Sequence, residues 1–219
     1  MGYPFEYVDN RIVADIRGKR CLIDTGAPFS LGHNVFDFLQ DTFDGGDLQS
    51  ISEHLGAPLD MLMGGNILSA FDGFFVWTEK QEIHFNNLAS EGIVAVPMEL
   101  RMNIPIISLS LHGQTVQAMI DSGSKQSFVK SEFVEGVPFD GEFVDFYPGF
   151  GSIVAPLVSL KYKEIGGVEE KNFKFAVMPK ETAQVFEDTG LFAMLGVDWL
   201  RNGKDHFQIN YRDKNFSNS

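Results

Sequence analysis

One cysteine, Cys21, stands among 219 residues, so no disulfide can form within the chain. That absence favours a reducing compartment, and the cytoplasm is the expected location; a leader trimmed from the sequence would move it to the periplasm or the exterior. Cys21 lies in an apolar run just before Asp24, and reads as a buried thiol rather than a nucleophile. Positive charge is scarce too. Lys and Arg number 17 against 30 Asp and Glu, a net charge of −13. Such a surface repels phosphates, so neither nucleic acid nor an anionic membrane is an expected partner. No apolar run approaches the ~20 residues of a spanning helix. The opening Met1–Glu6 has no basic segment or apolar stretch of a signal peptide, and Glu6 stands where myristoylation wants Ser or Thr. The histidines His33, His54, His84, His112 and His206 show no His-x-x-x-His spacing, so no metal and no cofactor are expected. Gly-x-Ser-x-Gly is absent, and Gly149-x-Gly151 lacks the Lys of a phosphate loop. What remains is the composition of a folded protein, 44% hydrophobic and 21% charged, long enough for one large core or two smaller lobes.

What is present is a repeat. Leu22-Ile23-Asp24-Thr25-Gly26 returns as Met119-Ile120-Asp121-Ser122-Gly123. Downstream, Met61-Leu62-Met63-Gly64-Gly65-Asn66 is matched by Ala193-Met194-Leu195-Gly196-Val197-Asp198. Further on, the β-rich Phe75-Val76-Trp77 is matched by Phe207-Gln208-Ile209. The order of a β segment, two apolar residues with Asp, hydroxyl and Gly, a spacer, two apolar residues with Gly and a last β segment therefore occurs twice. The boundary falls near Ala89–Gly92, dividing residues 1–90 from 91–219. The spacers are unequal, about 40 residues against about 75. In the shorter, Asp47 can cap a helix with apolar face Leu48, Ile51 and Leu55, ended by Gly56 and Pro58. The longer reads as β structure: a hairpin with Pro148-Gly149-Phe150-Gly151 at its tip, then a turn at Gly166-Gly167 into Phe173–Val177. The chain is expected to be mainly β.

A strand ending in Asp-Thr-Gly or Asp-Ser-Gly presents a carboxylate on a tight turn, where Gly exposes backbone N–H groups to hold it. The hydroxyls of Thr25 and Ser122 can reach across to the other lobe. If the lobes pair about a twofold, Asp24 and Asp121 meet within hydrogen-bond reach, and two close carboxylates share one proton over a wide pH range. The ionised one can take a proton from water while the protonated one polarises a carbonyl. Amide hydrolysis then needs no metal and no covalent intermediate.

These residues resemble the aspartic proteases, pepsin-like and retroviral together, over most of the chain. The resemblance implies a two-lobed, pseudo-symmetric acid-protease β-barrel fold with a short helical insertion in the first lobe. It implies Asp24 and Asp121 as the catalytic pair, Thr25 and Ser122 as an inter-lobe grip, and Gly26, Gly123, Gly64 and Gly196 as support for the two turns. Ala27 and Ser124, next after the motifs, stand at substrate-facing positions. The hairpin Tyr147–Ile153 is similar to the family's flap, with Phe150 at the tip, Gly149 and Gly151 flanking it, and Tyr147 as a flap tyrosine. Its substrate would be a peptide or protein, bound as an added strand, and a monomer would suffice because one chain carries both motifs.

The chain departs from the family in three ways. It is far shorter than pepsin-like enzymes and nearer to two fused retroviral protomers. Only its second half has room for a flap. Ala27 follows one motif in retroviral style and Ser124 the other in pepsin style, while Gly65 and Val197 stand where retroviral enzymes often carry Arg. A third Asp-Thr-Gly, Asp188-Thr189-Gly190, follows Phe186-Glu187 instead of an apolar pair and reads as a surface turn. The rival reading is a non-catalytic peptide-binding or inhibitory module on the same fold.

Overall fold

The computed structural model describes residues 2–32, 47–86, 88, 95–147, 151–163, 170–187 and 189–218, with backbone alone at Asp47, Tyr147 and Val185. The expected boundary near Ala89–Gly92 lies outside the described residues. The first half forms β1 (Gly2–Val8), β2 (Arg11–Ile16), β3 (Lys19–Ile23), β4 (Leu31–Gly32), α1 (Asp47–Leu55), β5 (Met61–Met63), α2 (Gly65–Leu68), β6 (Gly73–Trp77) and β7 (Glu82–Phe85). The second forms β8 (Val96–Arg101), β9 (Ile104–Leu111), β10 (Gln114–Ile120), β11 (Phe128–Val129), β12 (Phe139–Tyr147), β13 (Gly151–Lys163) and β14 (Glu170–Val177). It continues through α3 (Lys180–Glu187), β15 (Ala193–Leu195), α4 (Val197–Leu200), β16 (His206–Asn210) and β17 (Asn215–Asn218). The protein is mainly β.

The repeat in sequence is a repeat in structure. Each half begins with two tight hairpins whose turn residues all have positive φ: Asp9-Asn10 and Arg17-Gly18, then Met102-Asn103 and His112-Gly113. Paired positive φ angles suit the right-handed twist of the strands they join. In each half the strand that ends at the motif lies parallel to the strand that ends at the downstream Gly, β3 on β5 and β10 on β15. The two halves join in one antiparallel sheet, in the order β1, β7, β6, β16, β17, β8. The β-rich stretches matched in the sequence are direct neighbours at its centre, with Val76 opposite Phe207. Phe74, Val76, Phe207, Ile209 and Phe216 from this sheet are buried in a core that also takes Ile12, Ile23, Ile120 and Trp199. The halves are thereby fixed against each other around the two motifs.

The halves differ in what they insert. The first places α1, whose Ile51 and Leu55 pack against Val13, Leu22 and Leu62. The second places the long hairpin β12–β13, then β14 and α3. Helix α3 corrects the expectation of an all-β spacer. Pro179 accepts the Ala183 N–H at 2.8 Å at the head of the helix, and Ala183 and Phe186 pack onto a cluster including Ile106, Met119 and Phe128. Proline at a helix start is favourable because it lacks only a donor that would go unused there. The start signal was present, and the β-branched residues around it hid it.

Candidate active site

Each motif aspartate is fixed by its own half before it meets the other. The Asp24 N–H donates to the Met63 carbonyl at 3.0 Å and the Asp121 N–H to that of Leu195 at 2.9 Å, extending the two parallel pairings. Beyond them the chain turns. The Gly26 and Ala27 N–H groups donate to Asp24 Oδ1, both at 3.0 Å, and the Gly123 N–H donates to Asp121 Oδ1 at 2.9 Å. A carboxylate that accepts backbone N–H groups keeps a single orientation.

The downstream glycines hold these turns from behind. The Gly64 N–H donates to Ser30 Oγ, which donates on to Asn66 Oδ1, at 2.9 and 2.7 Å. The Gly196 N–H donates to Ser127 Oγ, which donates on to Asp198 Oδ1, again at 2.9 and 2.7 Å. The two relays differ at one atom. Burial pushes the Asp198 carboxyl up to about 6, against hydrogen bonds that favour its charge. A folded state that binds its proton more tightly than the unfolded chain loses stability as pH rises from about 4 to 6. Asp198→Asn, copying Asn66, is therefore expected to raise the melting temperature by a few degrees at neutral pH, net of the 2.8 Å bond from Gln126 Nε2 that the new amide nitrogen cannot accept. Thermal melts at two pH values check this, because the gain should vanish below about pH 4.

The hydroxyls cross between halves. Thr25 Oγ1 donates to the Ile120 carbonyl at 2.8 Å and accepts the Ser122 N–H at 2.9 Å. Ser122 Oγ donates to the Ile23 carbonyl at 2.7 Å and accepts the Thr25 N–H at 3.1 Å. All four bonds are buried, where an orphaned partner costs about 1–3 kcal/mol. The glycines are reciprocal as well: a Cβ on Gly26 would fall within the Asp121 carboxyl group, and one on Gly123 within that of Asp24. Each carboxyl thus lies against the opposite turn, and the two are hydrogen-bonded to each other.

That pairing sets their ionisation. Burial, and then the neighbouring Asp24 charge, lifts the Asp121 carboxyl well above the ordinary range. Burial lifts Asp24 as well, while the Ala27 N–H, the bond from Asp121 and the Gly26 N–H pull it back. The pair keeps one proton after ordinary carboxylates have lost theirs.

A cavity of about 270 Å³ opens on the pair. Leu22, Ile51, Leu55 and Leu62 form an apolar wall, and Arg11, His54 and Phe146 complete the rim. Ala27 lines this cavity; Ser124 is buried and turns its Oγ to the Gln126 carbonyl at 2.7 Å. In the hairpin Tyr147 pairs with Gly151, while Gly149 and Phe150 lie outside the described residues. Thr189 and Gly190 form an exposed turn after α3, and Asp188 lies outside the described residues. The sequence reading missed Arg11, His54, Lys125, Asp145 and Phe146. The contacts that bring them together join residues far apart in the chain, and the one local hint was a charged residue, Asp145, at an inward position of a β strand. Asp9, His54 and Asp145 could together reach one metal ion, but Arg11 and Lys125 already pair with both carboxylates.

Residues 107–199 match the family model described as aspartyl protease. The match holds Asp121 and Gly196 and leaves Asp24 to be related through the internal repeat. No curated protein matches the chain. Among solved structures, a retropepsin-like aspartic protease from Rickettsia conorii is similar at 16% identity, covering 58% of this chain and 90% of that one, with a TM-score of 0.40.

Proposed function

Starting from an aspartic protease family assignment, we propose that this chain is an endopeptidase that hydrolyses peptide bonds with a water held between Asp24 and Asp121. The observation that carries this reading is the mutual contact of the buried Asp121 carboxyl and the half-buried Asp24 carboxyl, each bonded by the N–H groups of its own turn and pressed against the glycine of the other. The deprotonated member accepts a proton from the water as it attacks the carbonyl carbon. The protonated member donates its hydrogen bond to the carbonyl oxygen, where negative charge develops. The departing amine then takes a proton from the pair, which restores the starting state. Because one chain supplies both carboxyls and the whole grip, a monomer is competent. An apolar substrate side chain fits against Leu22, Ile51, Leu55 and Leu62.

Incubation with a mixed peptide library from acid to neutral pH, followed by mass spectrometry, tests the proposal. Reproducible cuts within peptides, suppressed by a transition-state mimic such as pepstatin, are expected. Binding of peptides without any cut would replace the enzyme with the non-catalytic module.

A further inference from the structure

Arg11 is buried and spends its guanidinium on three elements. Its Nε donates to the Gly123 carbonyl at 2.7 Å, its Nη1 to Asp9 Oδ2 at 2.7 Å and its Nη2 to Asp145 Oδ2 at 2.8 Å. Gly123 belongs to the second aspartate's turn, and Asp145 to the hairpin strand β12. The Asp145 side chain has no exposed surface, and its other oxygen lies 3.2 Å from Lys125 Nζ and 3.4 Å from His54 Nε2. Its neighbour Phe146 stacks on His54 of α1 with ring centres 4.8 Å apart. One strand of the hairpin is thus tied to β2, to the Asp121 turn and to α1 within two residues.

The repeat supplies an internal control. Arg11 pairs with Val8 beside the Asp9-Asn10 turn, and Ile104 pairs with Arg101 beside the Met102-Asn103 turn. The corresponding position therefore accepts an apolar side chain, which packs there against a buried cluster. A buried ion pair seldom stabilises more than the apolar residue that could replace it, so stability of β2 does not account for Arg11. The two halves differ in another way at this place: among the described residues the long β12–β13 hairpin belongs to the second, and Arg11 of β2, together with His54 of α1, reaches it from the first.

Resting on the protease reading, we propose that Arg11 is a positioning residue that clamps the hairpin strand β12, through Asp145, to the turn carrying Asp121. Substrate held under the hairpin is then held in register with the carboxyl pair. A displacement of about 1 Å between such groups can cost about 100-fold in rate. The charged and titratable groups around the clamp are Asp9, Lys125, Asp145 and the His54 imidazole, with Asp24 and Asp121 on the cavity side. The guanidinium also works against the upward pull on both carboxyls.

Three variants test the clamp: Arg11→Gln, Arg11→Lys and Asp145→Asn. In Arg11→Gln, amide hydrogen exchange over residues 139–147 should quicken about tenfold while that of β9 stays fixed. Cleavage should fall about 100-fold in kcat/KM, with the acid limb of its pH profile moved upward. Arg11→Lys should restore the limb without restoring slow exchange, since an ammonium keeps the charge and cannot span three acceptors. Asp145→Asn should quicken exchange in β12 without moving the limb upward. Unchanged exchange in β12 of either folded variant would overturn the clamp. The exchange measurement needs no turnover, so it decides the clamp even if the wild-type protein cleaves nothing, a result that would sink the protease reading alone.

Discussion

Asp121→Asn and Asp24→Asn are each expected to lose cleavage by about 10²- to 10⁴-fold, the scale of a positioned acid–base group. The amide keeps the size of the carboxyl and can keep the bond from its turn, so the fold should survive. What it removes is the proton that moves. Stability should change in the opposite direction. Burial raises both carboxyls, and the Asp24 charge adds to the effect on Asp121. The folded state therefore binds protons more tightly than the unfolded chain and loses stability as pH climbs from the ordinary carboxylate range. Asp121→Asn removes that burden, so the inactive protein should melt higher than wild type at neutral pH. At acid pH, with both groups protonated in the folded and unfolded states, the difference should close. Melts and initial rates on the same samples check both halves of the expectation.

Gly123→Ala is expected to cut kcat/KM by about 100-fold, the cost of a displacement on the order of 1 Å. The methyl would occupy the space of the Asp24 carboxyl group. That carboxyl is held by the Gly26 and Ala27 N–H groups and must leave them or push the Gly123 turn away. Either movement separates the pair. Gly26→Ala should do the same to Asp121 from the other side. Neither glycine has a backbone angle that only glycine tolerates, so the effect should come from the added carbon. The clearest check is that rates fall far more than melting temperature does. The neighbouring Ala27 and Ser124 already carry side chains, so intolerance should stop abruptly at the glycines.

The parts of this site that could be read from sequence are those repeated within it. Asp24 and Asp121, Thr25 and Ser122, and Gly64 and Gly196 stood out because the chain states each twice. The structure places each pair in equivalent surroundings. Helix α1 was legible through Leu48, Ile51 and Leu55 because amphipathic spacing is a local property. That it walls the cavity was not, since nothing in those residues names Leu22 and Leu62 as their partners. Helix α3 was hidden by its setting among β-rich runs. The bond from Arg11 to Asp145 spans 134 positions, and the repeat draws no attention to it, since the position of Arg11 is taken by the apolar Ile104 in the second half. Symmetry marks what both halves do alike; the contacts that join their unlike parts, such as Arg11 with Asp145, appear only once the chain is folded.

The proposed function depends on one proton shared between Asp24 and Asp121. Carboxyl-carbon NMR of the selectively labelled aspartates, followed as pH is raised, measures this directly. The expected titration is in two well-separated steps that belong to the pair, with one proton retained after the surface carboxylates have ionised. Two carboxyls that ionise together in the ordinary range of aspartic acid would contradict it.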